Sequence, residues 1–425
     1  MSVEGTVTSF EDVSAVMKKV SVEIAQKYVD RELDKAYREI QKKVSVRGFR
    51  QGKVPRSMLE KQYGEAVKTD AAKALAAHFL EHFVREKEIH PVAVPVIEEY
   101  KFEDGKGLTF TAKIEVRPEI DLEQYRGIEI AARPVSVSDD EVEVEVGRFR
   151  ELHAQLHPVE GRETPQSGDI AYFEIAEVTG KGEAKHESHS LELGSGRANT
   201  VLEARLLGSR IGEPFEVDLP AGRNAKEGET KHFRVTVTGL KTKVLPELND
   251  DFARDLGAYA DLAALRSEVR SRIQKAKEQQ AKTETEEELV REIIAKNPFP
   301  VPESLVERQL EAYLENIVAA VGAKNVNLDA ARSEFAPRAL FSVQKAMILD
   351  AVARREGMAI GEEDIEAEFR RLAKEQGKNT MWVRAQYEKD DALDGLRYAL
   401  KERKVLAYLL GEAKMVEKEE GTRNT

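Results

Sequence analysis

The spacing of apolar residues changes along this 425-residue chain, which predicts several domains rather than one. Between residues 163 and 243 apolar and polar residues alternate as they do in strands, in runs at 170–178, 190–193, 215–219 and 231–240. From about residue 245 apolar residues recur at helical spacing instead, for example at Val306, Leu310, Tyr313, Leu314, Ile317 and Val321. The pattern predicts a small, mainly antiparallel β domain followed by an all-α domain over 244–425 whose charged helices suit extended arms.

Residues 1–117 are predicted to form an α+β domain. A strand at 15–22 precedes a helix at about 25–44, and alternation over 98–116 predicts a β-hairpin that turns at Asp104 and Gly105. Pro55 is placed to open a second helix and Gly64 to end it.

A third helix is expected at about 66–87, and residues 118–162 are interpreted as a connector with helical character at 139–157. Near the other end, Pro302 can start a helix, Gly357 and Gly377 can end helices, and the polar tail from residue 412 is expected to fray. The overall fold class is therefore multidomain α+β.

Composition limits the chemistry that the chain can perform. No cysteine is present, which excludes disulfides, thiol catalysis and thiolate metal sites. Charged residues make up 34% and aromatic residues only 6%, so several small cores are expected rather than one large core. The N-terminus lacks a basic region followed by an apolar run, and no apolar stretch approaches a membrane span, so a soluble cytoplasmic protein is expected.

A basic loop stands out against a formal net charge of −12. Its six cations, with no acid among them, are Lys42, Lys43, Arg47, Arg50, Lys53 and Arg56. Residues 48–55 read Gly-Phe-Arg-Gln-Gly-Lys-Val-Pro, which places Phe49 at the tip. One interpretation is a solvated connection between helices in which Gly48 and Gly52 supply positive φ. The alternative is docking, in which Phe49 enters an apolar notch and the fork of Arg50 pairs with a carboxylate or phosphate.

Three segments resemble the bacterial trigger factor family. The loop is close to that family's Gly-Phe-Arg-Lys-Gly-Lys-x-Pro, and residues 245–253 and 301–306 resemble the family where its β domain ends and where a helix of its helical domain begins. The resemblance implies an ATP-independent chaperone at the ribosomal exit tunnel that holds nascent chains in an open, folding-competent state. The implied partners are an exit-tunnel protein, ribosomal RNA, and nascent and unfolded polypeptides, with no membrane. Members of the family can self-associate, so monomer and homodimer both stay open.

The resemblance also assigns roles to loop residues. Phe49 and Arg50 match ribosome-contact positions of the family, and Gly48, Gln51, Gly52 and Lys53 complete the expected site. Gln51 replaces the usual Lys and removes one charge. Lys42, Lys43, Arg47 and Arg56 are expected to add long-range attraction to ribosomal RNA.

The β domain resembles an FKBP-type prolyl isomerase, which favours a twisted amide in an apolar, aromatic-lined pocket and needs no metal. The candidate pocket positions are Glu174, Ile175, Leu202 and Phe233. The family's Ile-Pro-Gly-Phe stretch reads Asn-Thr-Val-Leu at 199–202, and the flap at 219–224 is short. Catalysis of isomerisation and simple binding or spacing of the chain are therefore both retained as interpretations.

Other chemistry finds little support in the sequence. The histidine pairs His78/His82, His153/His157 and His186/His189 lack an apparent third ligand, so neither a metal nor a cofactor is expected. No nucleotide-binding loop or Ser/His/Asp constellation is recognisable. Two rivals to the chaperone remain: a protein that is mainly a prolyl isomerase, and a ribosome-binding translation factor without chaperone work.

Overall fold

The computed structural model describes residues 5–46, 49–50, 52–103, 107–179, 182–183, 186–196, 199–220, 230–257, 259–322 and 326–416. The strands in these ranges are β1 (Gly5–Ser14), β2 (Met17–Ile24), β3 (Val96–Glu103), β4 (Gly107–Glu115), β5 (Glu129–Ala131), β6 (Gln155–Pro158), β7 (Asp169–Thr179), β8 (Gly182–Glu183), β9 (Glu187–Glu192), β10 (Pro214–Pro220), β11 (Thr230–Val244) and β12 (Lys414–Val416). The helices are α1 (Gln26–Lys43), α2 (Arg56–Glu86), α3 (Asp139–Leu152), α4 (Thr200–Leu207), α5 (Asp250–Asp255), α6 (Leu262–Lys296), α7 (Glu303–Val321), α8 (Leu328–Arg355), α9 (Glu362–Gln376), α10 (Thr380–Lys389) and α11 (Leu393–Glu412).

The chain divides into two compact units, one made of residues 1–133 with 283–425 and the other of residues 134–282. The predicted fold class, with an N-terminal α+β part, an antiparallel β part and a helical C-terminal part, is confirmed. The predicted domain boundaries at residues 117, 162 and 243 stay predictions. The division into compact units does not test them, because it places the N-terminal sheet and the helical region in one unit.

The first unit begins with a four-stranded antiparallel sheet in the order β1-β2-β4-β3. Every second residue is buried from Val20 onward in β2 and from Leu108 onward in β4, as expected for a sheet with one covered face. Helix α2 covers that face with Leu75, Ala76, Phe79 and Phe83. The hairpin of β3 and β4 follows the prediction, and its expected turn at Asp104 and Gly105 lies outside the described residues.

The prediction of two helices separated at Gly64 is wrong. Helix α2 continues from Arg56 to Glu86 through this glycine. Leu59 and Val67, on either side of Gly64, are both buried in the same apolar cluster with Tyr37 of α1. Packing against α1 on both sides of Gly64 offsets the helix cost of one glycine, about 1 kcal/mol.

The helical region of the first unit has its own core. Its buried members come from α6, α8, α11, β5 and the segment before β5: Leu122, Tyr125, Ile128, Ile130, Leu289, Val290, Ile293, Ile348, Leu349, Ala351, Val352, Ala353, Val405, Leu406 and Leu409. Strand β12 pairs in parallel with β5, from Lys414 against Glu129 to Val416 against Ala131. The first residues of the predicted connector are therefore part of this core. The tail, which was expected to fray, is ordered as far as Val416.

The second unit contains an antiparallel sheet in the order β10-β11-β7-β8, in which β6 also pairs with β11 and β9 with β7. The four predicted strands of this region are present. The helix predicted over 139–157 ends at Leu152, because residues 155–158 pair as β6 with the far end of the 15-residue strand β11. Ser138 and Glu141 form a capping box that starts α3.

Candidate functional site

The basic loop, residues 42–56, is anchored at both ends. Val54 is fully buried in a cluster with Tyr37, Leu59 and Val67, and the half-buried Val44 and Val46 pack against the same cluster. Backbone hydrogen bonds join Gly52 N to Gln41 O at 3.1 Å, Phe49 N to Val46 O at 3.0 Å and Lys53 N to Arg50 O at 2.9 Å. The loop therefore has a fixed base.

Phe49 projects from this base with 40% of its surface exposed, and Arg50 and Lys53 are exposed beside it. Gly52 adopts a φ of +79°, which a residue with a side chain rarely adopts, so this glycine supports the turn. Arg47, Gly48 and Gln51 lie outside the described residues. An exposed aromatic ring next to exposed cations is suited to a partner with an apolar notch inside an anionic surface.

Arg56 has partners within the protein. Its guanidinium pairs with Asp34 of α1 and, at 2.7 Å, with Glu60 of α2, and it lies 5.0 Å from the Tyr37 ring. Counting the charges of residues 42–56 misses Asp34 and Glu60, because these two carboxylates lie on the helices on either side of the loop. A supporting role in docking stays a prediction for Arg56, and its contacts also brace the base of the loop.

Helix α1 carries a basic stripe that the sequence reasoning missed. Five exposed cations recur at intervals of four, four, three and four residues: Lys27, Arg31, Lys35, Arg38 and Lys42. These positions span about 80° of the helix circumference and about 22 Å of its length, opposite the buried face of Val29 and Tyr37. A helical-wheel projection of residues 26–43 would have shown the stripe from the sequence. The stripe meets the basic loop at Lys42.

Three of the four candidate pocket residues of the β domain pack against the same apolar cluster. Ile175, Leu202 and Phe233 all pack, partly buried, on the edge of the cluster around Phe173, Val217 and Val235. Glu174 is not with them, because successive side chains of a strand alternate between faces. Its carboxylate lies 3.7 Å from Nδ1 of His186.

The substituted 199–202 stretch starts a helix. The Asn199 side-chain oxygen accepts hydrogen bonds from Val201 N at 2.9 Å and Leu202 N at 3.4 Å, so Asn199 caps α4. Gly194 N donates to Glu203 at 2.5 Å. Of the short flap, Leu219 and Pro220 end β10, and residues 221–224 lie outside the described part.

The helical region leaves several large apolar side chains open to solvent. Met381 and Trp382, neighbours on α10, are 77% and 51% exposed. Val321, Leu328 and Leu340 of α7 and α8 are 40% exposed or more. Sequence reasoning could not select such residues, because the same helical spacing describes both buried and open stripes.

Two further properties concern only the described residues. Among them no group of three or more His, Asp or Glu side chains is arranged to hold a metal ion. No helix in those ranges is long and apolar enough to cross a membrane.

The α+β domain with its basic loop, the antiparallel β domain and the helices with open apolar side chains define a multidomain binding protein of the chaperone class. Models of the bacterial trigger factor protein match residues 7–149, and models of its C-terminus match residues 261–411. Trigger factor of Geobacter metallireducens is 34% identical over 427 residues, covering 96% of this chain and 98% of the relative. That of Anaeromyxobacter dehalogenans is 32% identical over 420 residues, with 95% and 98% covered.

The chain belongs to the trigger factor family, whose members are ribosome-associated chaperones with the ribosome and nascent polypeptides as partners. A solved trigger factor chaperone, studied for promiscuous substrate recognition in folding and assembly, aligns over 95% of this chain and 100% of its own. Its identity to this chain is 19% and the TM-score is 0.45.

Proposed function

We propose that this protein is an ATP-independent chaperone that docks beside the ribosomal exit tunnel and holds nascent chains in an open, folding-competent state. The observation that carries the proposal is the anchored loop, which presents Phe49 and Arg50 to solvent from a buried base. Residues 1–117 act as the docking domain, 118–162 as a connector, 163–243 as the FKBP-like domain and 244–425 as the client-binding domain.

Docking combines an apolar anchor with charge. Phe49 enters a notch on an exit-tunnel protein, and Arg50 pairs with a carboxylate or phosphate beside it. Gly48, Gln51, Gly52 and Lys53 complete the contact. The remaining loop cations and the basic stripe on α1 attract the phosphates of ribosomal RNA, which speeds encounter and makes the affinity depend on salt concentration.

Client binding uses the open apolar side chains of the helical region. Unfolded chains present apolar segments without a fixed geometry, and a dispersed apolar surface can take them in many registers. Met381 and Trp382 offer the most exposed adjacent pair among the described residues of this region. The charged residues around them keep such a surface soluble.

The β domain supports a second activity within the same proposal. Ile175, Leu202 and Phe233 gather at the edge of one apolar cluster, where a proline ring of a client could bind. Binding alone, without isomerisation, is the competing role for this domain.

The proposed location is the cytoplasm. Self-association to a homodimer is a further part of the proposal, supported by β1 at the edge of its sheet, where Phe10 and Val13 are 42% and 54% exposed. Sedimentation velocity of the purified protein across a hundredfold concentration range tests this part, and a sedimentation coefficient that stays at the monomer value throughout would contradict it.

Co-sedimentation with ribosomes at physiological salt tests the docking proposal. We expect Phe49→Ala with Arg50→Ala to abolish binding. Leu207→Ala with Arg210→Ala is the matched control, because it also removes an exposed apolar side chain and a nearby exposed cation, outside the loop. Unchanged co-sedimentation of the loop variant would overturn the assignment.

A separate assay distinguishes a chaperone from a translation factor. The purified protein should suppress aggregation of an unfolded protein without ribosomes and without ATP. Failure in this assay, combined with intact ribosome binding, would favour a role in translation.

A further inference from the structure

The last residue of β4 caps a helix that lies far away in the sequence. The Glu115 carboxylate accepts a hydrogen bond from Ser304 N at 3.1 Å and another from the Ser304 hydroxyl, although 189 positions separate the two residues. Ser304 is the second residue of α7, and Pro302, which precedes the helix, has no side-chain acceptor to offer. The start of α7 therefore depends on a carboxylate from the N-terminal sheet, and the positive end of the helix dipole also favours that carboxylate.

The backbone of Glu115 is fixed as well as its side chain. Glu115 lies opposite Met17 of β2, and its carbonyl accepts a hydrogen bond from Val92 N at 2.9 Å. Val92 in turn packs against the cluster that contains Leu305 of α7 and Met347 of α8. A hydrogen-bonded contact and an apolar contact thus join the sheet to the helices side by side. We call these two contacts the Glu115 latch.

The Glu115 latch is narrow. We use the term sheet body for β1 to β4 together with α1 and α2. Among the described residues of β1, β2, β4 and α2, Glu115 alone makes a hydrogen bond or an ion pair with helices α7 to α11. A cleft of about 930 Å³ opens beside it, lined by Phe10 and Lys18 of the sheet body and by Arg308 and Arg354 of α7 and α8. The polar fastening is therefore confined to one place instead of following a continuous packed surface.

One short chain segment joins the sheet body to the helical region. Val116 belongs to the core of the sheet, and Ile120 packs against the helical core. Only residues 117–119 lie between them, and Pro118 fixes one of their φ angles. A few residues are enough to absorb the dihedral changes of a hinge, so the Glu115 latch decides whether the sheet body keeps one orientation.

We propose that Glu115 is a positioning residue, which latches the sheet body to α7 in one orientation, and that release of the latch lets the sheet body pivot about residues 117–119. The basic loop, residues 42–56, lies between α1 and α2 of the sheet body. The latch therefore sets the direction in which the loop faces relative to the helical region. The inference concerns this geometry alone and holds whichever partners the loop and the helices bind.

Single-molecule fluorescence energy transfer on the full chain tests the Glu115 latch. Glu99→Cys on β3 and Ala320→Cys on α7 place one dye on each side of it, and both positions are exposed. The chain has no cysteine of its own, so the dyes attach only at these two positions. We expect one dominant distance between the dyes without further substitution. Glu115→Ala should raise the population of a second distance about tenfold, as the loss of a charged helix cap implies.

Two further variants separate the latch from a general loss of charge. Glu115→Gln keeps an oxygen that can accept from Ser304, so it should shift the population less than Glu115→Ala. Glu23→Ala is the matched control and should behave like the wild type. Glu23 is a half-buried carboxylate on the same face of the same sheet, and it makes no hydrogen bond or ion pair among the described residues. Equal populations in Glu115→Ala and the wild type, or an equal shift in Glu23→Ala, overturn the inference.

Hydrogen exchange and ribosome co-sedimentation show whether the effect is confined to the latch. The amides of β2 and β4 should stay protected in Glu115→Ala, and a loss of protection throughout the sheet would overturn the inference by showing that Glu115 only supports the fold. Ribosome binding should stay within about twofold of the wild type, because Glu115 lies outside the cluster that anchors the loop. A wild-type protein that does not bind ribosomes contradicts the proposed docking, while the distance measurement still decides the latch.

Discussion

Gln41 and Val54 are joined across the basic loop, because the Gln41 side-chain amide donates to the Val54 carbonyl at 2.7 Å. The Gln41 carbonyl also accepts the hydrogen bond from Gly52 N at 3.1 Å. Gln41, near the end of α1, thus binds two residues in the second half of the loop, Gly52 and Val54. Phe49 and Arg50 lie between these attachments, so their positions depend on a residue that need not touch the ribosome.

Gln41→Ala should weaken ribosome binding about fivefold, because losing one intramolecular hydrogen bond costs about 1 kcal/mol and lets the loop move. Binding curves from co-sedimentation would measure the change. Gln62→Ala, an exposed glutamine on α2, is the control and should bind like the wild type. A Gln41 variant with unaltered affinity would show that the loop holds its shape without this bond.

The basic stripe should appear in the salt dependence of ribosome binding. Arg31→Ala with Arg38→Ala is expected to reduce the slope of log affinity against log salt concentration by about two, since each phosphate contact contributes about one. Lys61→Ala with Lys73→Ala removes the same charge from exposed positions on α2 and should leave the slope unchanged. Equal slopes for the stripe variant and the wild type would remove α1 from the contact with RNA.

Met381→Ser with Trp382→Ser should lower aggregation suppression by several-fold, because it removes a large exposed apolar area from α10. Ribosome co-sedimentation of this variant should not change. Trp382 is the only tryptophan of the chain, so its fluorescence in the wild type should also respond to client binding. Full suppression by the double variant would place client contacts elsewhere.

Most helices and strands were predictable because apolar residues recur at regular helical or strand spacing along the sequence. Errors arose where distant packing decides the local structure. Gly64 is a helix breaker in isolation, but α1 packs against the helix on both sides of it. Residues 155–158 continue a helical pattern, but the end of β11 pairs with them. Neither partner is visible in a local window of sequence.

The candidate site was predictable at the level of the loop and less so for individual roles. Phe49 and Arg50 can be chosen from their place between two glycines. The engagement of Arg56 with Asp34 and Glu60 depends on how two helices cross, and one-dimensional charge counting does not contain that information. Similarly, the period of β7 could have separated Glu174 from Ile175, since neighbours on a strand face opposite sides.

The ion pairs of Glu368 should make the stability of α9 depend on pH. Two hydrogen bonds from Arg371, at 2.7 and 2.9 Å, and one from Arg403 at 3.1 Å lower the pKa of this buried carboxylate from 4.5 to about 2. A lowered pKa in the folded state means that the stabilisation is complete above about pH 4.5 and is lost as the pH falls towards about 2.

Glu368→Gln should therefore destabilise α9 by about 2 kcal/mol at pH 7, a figure reduced for the solvent around both arginines, and the difference from the wild type should shrink below pH 4.5. Hydrogen exchange of α9 amides is the suitable measurement, because a multidomain chain does not unfold in one step. Glu375→Gln removes a carboxylate from the same arginine at an exposed position and should have little effect. A constant difference across this pH range would contradict the assignment.

The apolar cluster of the β domain predicts which residues support prolyl isomerisation. Leu202→Ala should reduce proline-limited refolding catalysis at least about tenfold, because it removes apolar contact that would favour the twisted amide. Glu174→Gln should leave the rate unchanged, because this carboxylate faces away from the cluster. Equal losses in both variants would move the site, and a wild-type protein without catalysis would assign the domain to chain binding.

The helical core draws on residues 122–130, 289–293, 348–353 and 405–409, so its parts are made at widely separated times. The buried core of the sheet of β1 to β4 with α1 and α2 is drawn from residues up to Val116, so this core can form early in synthesis. Leu122, Tyr125 and Ile128 must wait for α11, which comes almost last. Until then the newborn protein exposes the kind of apolar segment that its finished form is proposed to protect in others.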